Sequence, residues 1–174
     1  MENLRNTELN KFALYSLLIV ILLTTSCRIK YSLNPPATIK GETISIQYFP
    51  NNSSLVQPTL SQTFTEALKD KFVSQTSLEL VSSGGDLQFE GSITNYQTKP
   101  TAVQENSAAL NRLTISIKVK FSNREQPEND FDQQFSAYSD FDGSVSLESV
   151  ESELIKEIVD QLVEDIFNKS VVNW

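Results

Sequence analysis

Glu157, Asp160 and Glu164 stand three and four residues apart near the C-terminus. On a helix they share a face, where two carboxylates could work as a general acid and base. A solvated helix face is the commoner use of such spacing. Asp140-Phe141-Asp142-Gly143 hints at a calcium loop, but Gly143 as the sixth position puts Tyr138 first and Ser149 twelfth, where carboxylates are needed. Arg112, Lys118 and Lys120 form a cationic series fit for phosphate oxygens. The chain has one cysteine, Cys27, and no histidine. Ser-His-Asp and Cys-His catalysis and histidine metal centres are therefore excluded. GxSxG, GxGxxG and GxxxxGK[ST] are missing as well. No enzymatic activity, cofactor or metal is expected.

Cys27 has a special address. Phe12 to Leu23 is apolar apart from Tyr15 and Ser16, and it follows Arg5 and Lys11. A basic lead-in and about a dozen apolar residues suit a signal peptide and fall short of the roughly 20 that cross a bilayer as a helix. Leu22-Leu23-Thr24-Thr25-Ser26-Cys27 resembles a bacterial lipobox, in which cleavage precedes a cysteine that becomes diacylated on sulfur. The competing role is a buried structural thiol. Lipidation would supply the two or more acyl chains that stable anchoring needs. Residues 1–26 are thus expected to be a lipoprotein signal peptide and residues 27–41, with Asn34-Pro35-Pro36, a lipidated tether. With no second cysteine, no internal disulfide can form, and the body must be held by its core.

Charged residues make up 21% of the chain and hydrophobic ones 39%, which is too apolar for a disordered chain and suited to one domain. The net charge is −8, and losing residues 1–26 removes two bases and two acids and leaves it unchanged. Such a surface disfavours nucleic acid, so a polyanion needs a local basic patch.

The elements that would position these residues follow from periodicity. Thr43 to Tyr48 alternates, with Ile44, Ile46 and Tyr48 on one face of a strand. Leu60, Phe64, Ala67, Leu68 and Phe72 predict a helix from about Thr59 to Ser74, capped by Thr59. Leu78 to Val81 is compatible with a short strand. Leu87, Phe89, Gly91 and Ile93 mark one face of a long strand, and a polar loop is expected over residues 98–111. Arg112 to Ser122 alternates most clearly: Leu113, Ile115, Ile117, Val119 and Phe121 point one way, with Arg112, Lys118 and Lys120 on the other. After a turn at residues 123–129, Phe131, Phe135 and Phe141 resume the alternation, predicting a hairpin.

Residues 149–169 form the second helix, with apolar pairs at 154/155, 158/159, 162/163 and 166/167. A column four residues apart winds around a helix of 3.6 residues per turn, so more than one neighbour must cover it. The sheet and first helix, or a partner, would do so. The predicted fold class is α+β: a two-layer sandwich with two helices on one face of a mostly antiparallel four-stranded sheet, over residues 42–174. On the wet face, Arg112, Lys118 and Lys120 either pair with Asp130, Asp132 or Glu90 or contact phosphates.

Four segments in order are similar to the Bacteroidota branch of the LptE family of lipopolysaccharide-assembly lipoproteins. They are TISIQYFPNNSSLVQPTLSQTFTEALKDKF, SSGGDLQFEGSITNYQTKP, ALNRLTISIKVKF and SVESELIKEIVDQLVEDIFNKSVVNW. The resemblance spans about residues 27–174 and implies an outer-membrane lipoprotein anchored through Cys27; Arg28-Ile29-Lys30 lacks the acidic residues that would suggest export to the cell surface, so a periplasm-facing domain is expected. It further implies a plug and assembly factor in a 1:1 complex with the LptD β-barrel, assisting lipopolysaccharide delivery to the outer leaflet. Arg112, Lys118 and Lys120 are the positional analogues of lipopolysaccharide-contacting basic residues. A free-standing periplasmic lipoprotein that binds or inhibits something else is the rival expectation.

Overall fold

The structure, a computed structural model, describes residues 40–101 and 109–171. Cys27, the signal segment and all but Lys40 and Gly41 of the tether lie outside the described residues. The elements are β1 (Thr43–Ile46), α1 (Leu60–Gln75), β2 (Glu79–Leu80), β3 (Leu87–Pro100), β4 (Leu110–Asn123), β5 (Phe131–Asp142) and α2 (Leu147–Val171).

β4 is the spine. Its strict alternation puts Leu113, Ile115, Ile117, Val119 and Phe121 on the core face, none more than 1% exposed. Burying such a side chain stabilises the fold by about 1.5–3 kcal/mol, so a one-residue slip in register would be prohibitive. β4 pairs antiparallel with β3 on one side and β5 on the other. Both helices cover the apolar face. Phe72 of α1 has its ring centroid 5.0 Å from Phe89 of β3 and 5.1 Å from Phe167 of α2, joining the layers. All four apolar pairs of α2 are buried, against α1, β4 and β5. Within the described residues, the sheet and first helix supply the cover that the winding stripe requires.

The sheet differs from the expected one in count and in sense. Among the described residues it has five strands in the order β2-β1-β3-β4-β5, and β1 lies parallel to both β2 and β3. The fold is thus α+β with a mixed sheet. β2 is two residues long and both are exposed, so it carries no alternation that a sequence pattern could register.

β1 also ends sooner than its alternation suggests. Gln47 and Tyr48 both turn to solvent and Phe49 enters the core, 0% exposed. The chain still follows β3, because Gln47 N–H donates to the Phe89 carbonyl and Ile93 N–H donates to that of Pro50. Phe49 packs edge-on against Phe64 of α1 at 5.1 Å. Gly91 makes room for it: a Cβ there would sit 2.0 Å from the Lys118 carbonyl oxygen and 2.7 Å from the Phe49 ring.

Helix α1 is capped by Gln57 rather than Thr59. The Gln57 side-chain oxygen accepts from the N–H groups of Thr59 and Leu60, at 2.7 and 3.0 Å, while Thr59 makes no side-chain cap bond. Part of the expected loop is strand, since β3 reaches Pro100 and β4 starts at Leu110, where Pro100 pairs with Asn111.

Candidate functional site

Register sets the site. Across β3, β4 and β5 the outer face is ruled by rows of partners: Lys99, Arg112 and Asp140; Gln97, Thr114 and Tyr138; Ser92, Lys118 and Gln134; Glu90, Lys120 and Asp132. Cross-strand neighbours lie close enough for side chains to meet, and every basic residue of the series meets a carboxylate.

Arg112 donates from Nε and Nη2 to the two oxygens of Asp140, at 2.7 and 2.8 Å, and its guanidinium lies 3.6 Å from the Tyr138 ring centroid. The forked bond holds the Asp140 carboxyl below its usual range and pushes the guanidinium up. Lys120 reaches Glu90 at 2.6 Å, and this bond raises the lysine. Lys118 approaches Asp132 at 3.4 Å with both side chains half or more exposed. Lys118 and Lys120 are about 7 Å apart along the strand, but Arg112 is about 20 Å from Lys118 at 3.4 Å per residue. The structure therefore brings the two lysines together and leaves the arginine in a separate cluster.

The acidic residues of α2 do not converge. Glu157 accepts from the Ser139 hydroxyl at 2.8 Å, and Asp160 pairs with Lys156 one turn earlier. Glu164 pairs with Lys71 of α1, whose ammonium also lies 5.0 Å from the Phe167 ring, and the contact lowers the carboxyl. Asp142 accepts from the N–H of Ser144 at 2.7 Å, closing a local turn. Among the described residues there is no group of three or more potential metal ligands. Nor is any described helix long and apolar enough to cross a membrane.

Two polar contacts were not foreseeable from composition. Asp86 accepts from the N–H groups of Glu42 and Thr43 and from the Thr43 hydroxyl, at 2.9, 3.0 and 2.9 Å, and its own N–H donates back to Thr43 Oγ1. This clamp ties the start of β1 to the turn before β3, and the Glu42 N–H leads the causes that depress the Asp86 carboxyl. Tyr96, 4% exposed, donates its hydroxyl to Glu151 of α2. Burial, with the carboxylate acting second, drives its phenol far above the ordinary tyrosine value.

A family model described as LptE, lipopolysaccharide-assembly, matches residues 41–170, three quarters of the chain. The chain belongs to the LptE family. The match begins just before β1 and ends one residue short of the end of α2, so this LptE domain is the α+β unit itself.

No curated protein matches the LptE chain. Among solved structures, a hypothetical protein from Chlamydia trachomatis is 10% identical over 76% of this chain and 99% of its own, with a TM-score of 0.50. A protein from Xanthomonas campestris is 9% identical over 78% and 88%, also at 0.50. A minor lipoprotein from Acinetobacter baumannii is 12% identical over 74% and 91%, at 0.49. At these identities the first two likenesses show a shared fold and nothing of residue roles.

Proposed function

We propose that this LptE-family chain is a lipid-anchored outer-membrane protein that works as plug and assembly factor of an LptD-type β-barrel in a 1:1 complex. Lipid on Cys27 would confine the domain to the periplasmic face of the outer membrane and raise its effective concentration beside the barrel. The tether to Gly41 would let it enter the lumen. The observation that carries this reading is the family match over nearly the whole folded unit. The outer sheet face supports it, being polar along β3, β4 and β5 and free of any covering helix among the described residues.

Lys118 and Lys120 are the proposed contacts to lipopolysaccharide phosphates. Exposed lysine pairs contribute little to stability, so exchanging Asp132 and Glu90 for phosphate costs little. Arg112 is proposed as a weaker contributor, because its fork on Asp140 and its stacking on Tyr138 already occupy it. The domain is read as non-enzymatic, acting by shape and binding.

The test is purification of the membrane-extracted protein through a C-terminal tag, with mass spectrometry after a high-salt wash. Recovery of a large LptD-type barrel in near-equal amount is the expected result. Recovery of the lipoprotein alone, with lipid on Cys27 intact, would contradict it and favour a free-standing periplasmic binder.

A further inference from the structure

The two edges of the sheet are built differently. β2 closes one edge with two residues. β5 forms the other with twelve residues, paired with β4 in unbroken register from Asp142 to Phe131. The phase of its hydrogen bonds follows from the end of the ladder. Gly143 N–H donates to the Ala109 carbonyl at 2.7 Å, so the odd-numbered residues of β5 turn their backbone groups toward β4. The even-numbered ones must turn theirs away. Asp132, Gln134, Ser136, Tyr138 and Asp140 are all exposed, and no strand lies beyond them among the described residues.

Proteins usually blunt such an edge with lysine, proline, a bulge or a short strand. β5 has no lysine, no proline and no bulge, and its charges, Asp132, Asp140 and Asp142, lie toward its two ends and leave Gln133 to Ser139 uncharged. We propose that the β5 edge is a strand-addition site for an extended segment of another protein, one that is uncharged or basic at alternate positions. Outward N–H and C=O groups would give affinity. Asp132 and Asp140 on this edge are already paired with Lys118 and Arg112, so selection against acidic segments would come from the net charge of −8. A second copy of this chain fits poorly. Two β5 strands crossing antiparallel at Ser136 would set Asp132 opposite Asp140 twice, between molecules of net charge −8.

The experiment uses the full chain and hydrogen exchange resolved by residue, with three ten-residue probes. One alternates Thr and Lys, the second is the same peptide methylated on alternate backbone nitrogens, and the third has Glu for Lys. In the chain alone, amides of Gln134, Ser136, Tyr138 and Asp140 should exchange at least about a hundredfold faster than those of Phe135, Ala137 and Ser139. The Thr/Lys peptide alone should slow the even set tenfold or more. Ser136→Pro should fold, because an outward N–H at an edge is dispensable, whereas Ala137→Pro should not. Four results would each overturn the proposal: even amides as protected as odd ones in dilute chain, no slowing by the Thr/Lys peptide, equal slowing by the methylated peptide, or protection that grows with protein concentration and sediments as a dimer.

Discussion

The two sides of the sheet are stabilised by different means. The antiparallel side, β3 to β5, consists of strands of 14, 14 and 12 residues whose inner faces lie under both helices. The parallel side has strands of four and two residues, held by the Asp86 clamp, by the insertion of Phe49 and by the close approach at Gly91. Burial that scales with strand length secures the first side, and a few specific contacts secure the second. The first tolerates polar change on its outer face, whereas the second is sensitive at single atoms.

The largest expected effect comes from the residue that joins both helices to the sheet. Phe72→Ala should lose about 3–5 kcal/mol in denaturant unfolding, since it empties the space between Phe89 and Phe167. Next comes Gly91→Ala, at about 3 kcal/mol, because the added Cβ meets backbone oxygen that cannot move without breaking the β3–β4 ladder. Its damage should show first as faster exchange of the β3–β4 ladder amides beside Gly91, and then of the Gln47 and Ile93 amides as Phe49 is displaced.

Tyr96→Phe should cost about 1 kcal/mol, the worth of one hydrogen bond to a carboxylate with partial access to water. It should also remove an alkaline dependence. The Tyr96 phenol is raised on folding, so its contribution is intact below the unfolded value near pH 10 and lost as pH rises beyond it. Asp86→Asn should be smaller and local, freeing the Glu42 and Thr43 amides. Because the Asp86 carboxyl is depressed on folding, that contribution is present above about pH 4 and fades as pH falls through the folded value. Smallest of all, Lys118→Ala with Lys120→Ala should leave the melting temperature unchanged while weakening capture of lipopolysaccharide, measured on immobilised lipid.

The readability of the sequence follows the same division. β4 and α2 were legible because Leu113 to Phe121 and Leu154 to Phe167 each fill one face at one period. The parallel side was not. Glu79 and Leu80 are both exposed, and the outward pair Gln47 and Tyr48 breaks the alternation that would have led to Phe49. Thr59 is a reasonable cap by type, yet its side chain makes no cap bond, and the longer Gln57 side chain takes the Thr59 and Leu60 N–H groups instead.

At the site, cross-strand partners for the lysines were foreseeable as Asp132 and Glu90, and the structure has them. The Arg112–Asp140 pair was missed because partners depend on register. Setting Phe121 opposite Phe131 and counting outward would have found it. The Asp86 clamp left no periodic signal, being a contact across 43 residues of chain.

The central claim is that this domain is needed for a barrel to assemble, and one measurement tests it directly. Cells depleted of the protein would be assayed for the folded, heat-modifiable form of their LptD-type barrel on mildly denaturing gels. The account predicts loss of the folded barrel before any fall in lipopolysaccharide at the surface. A barrel that stays fully folded in depleted cells, with surface lipopolysaccharide intact, would contradict it.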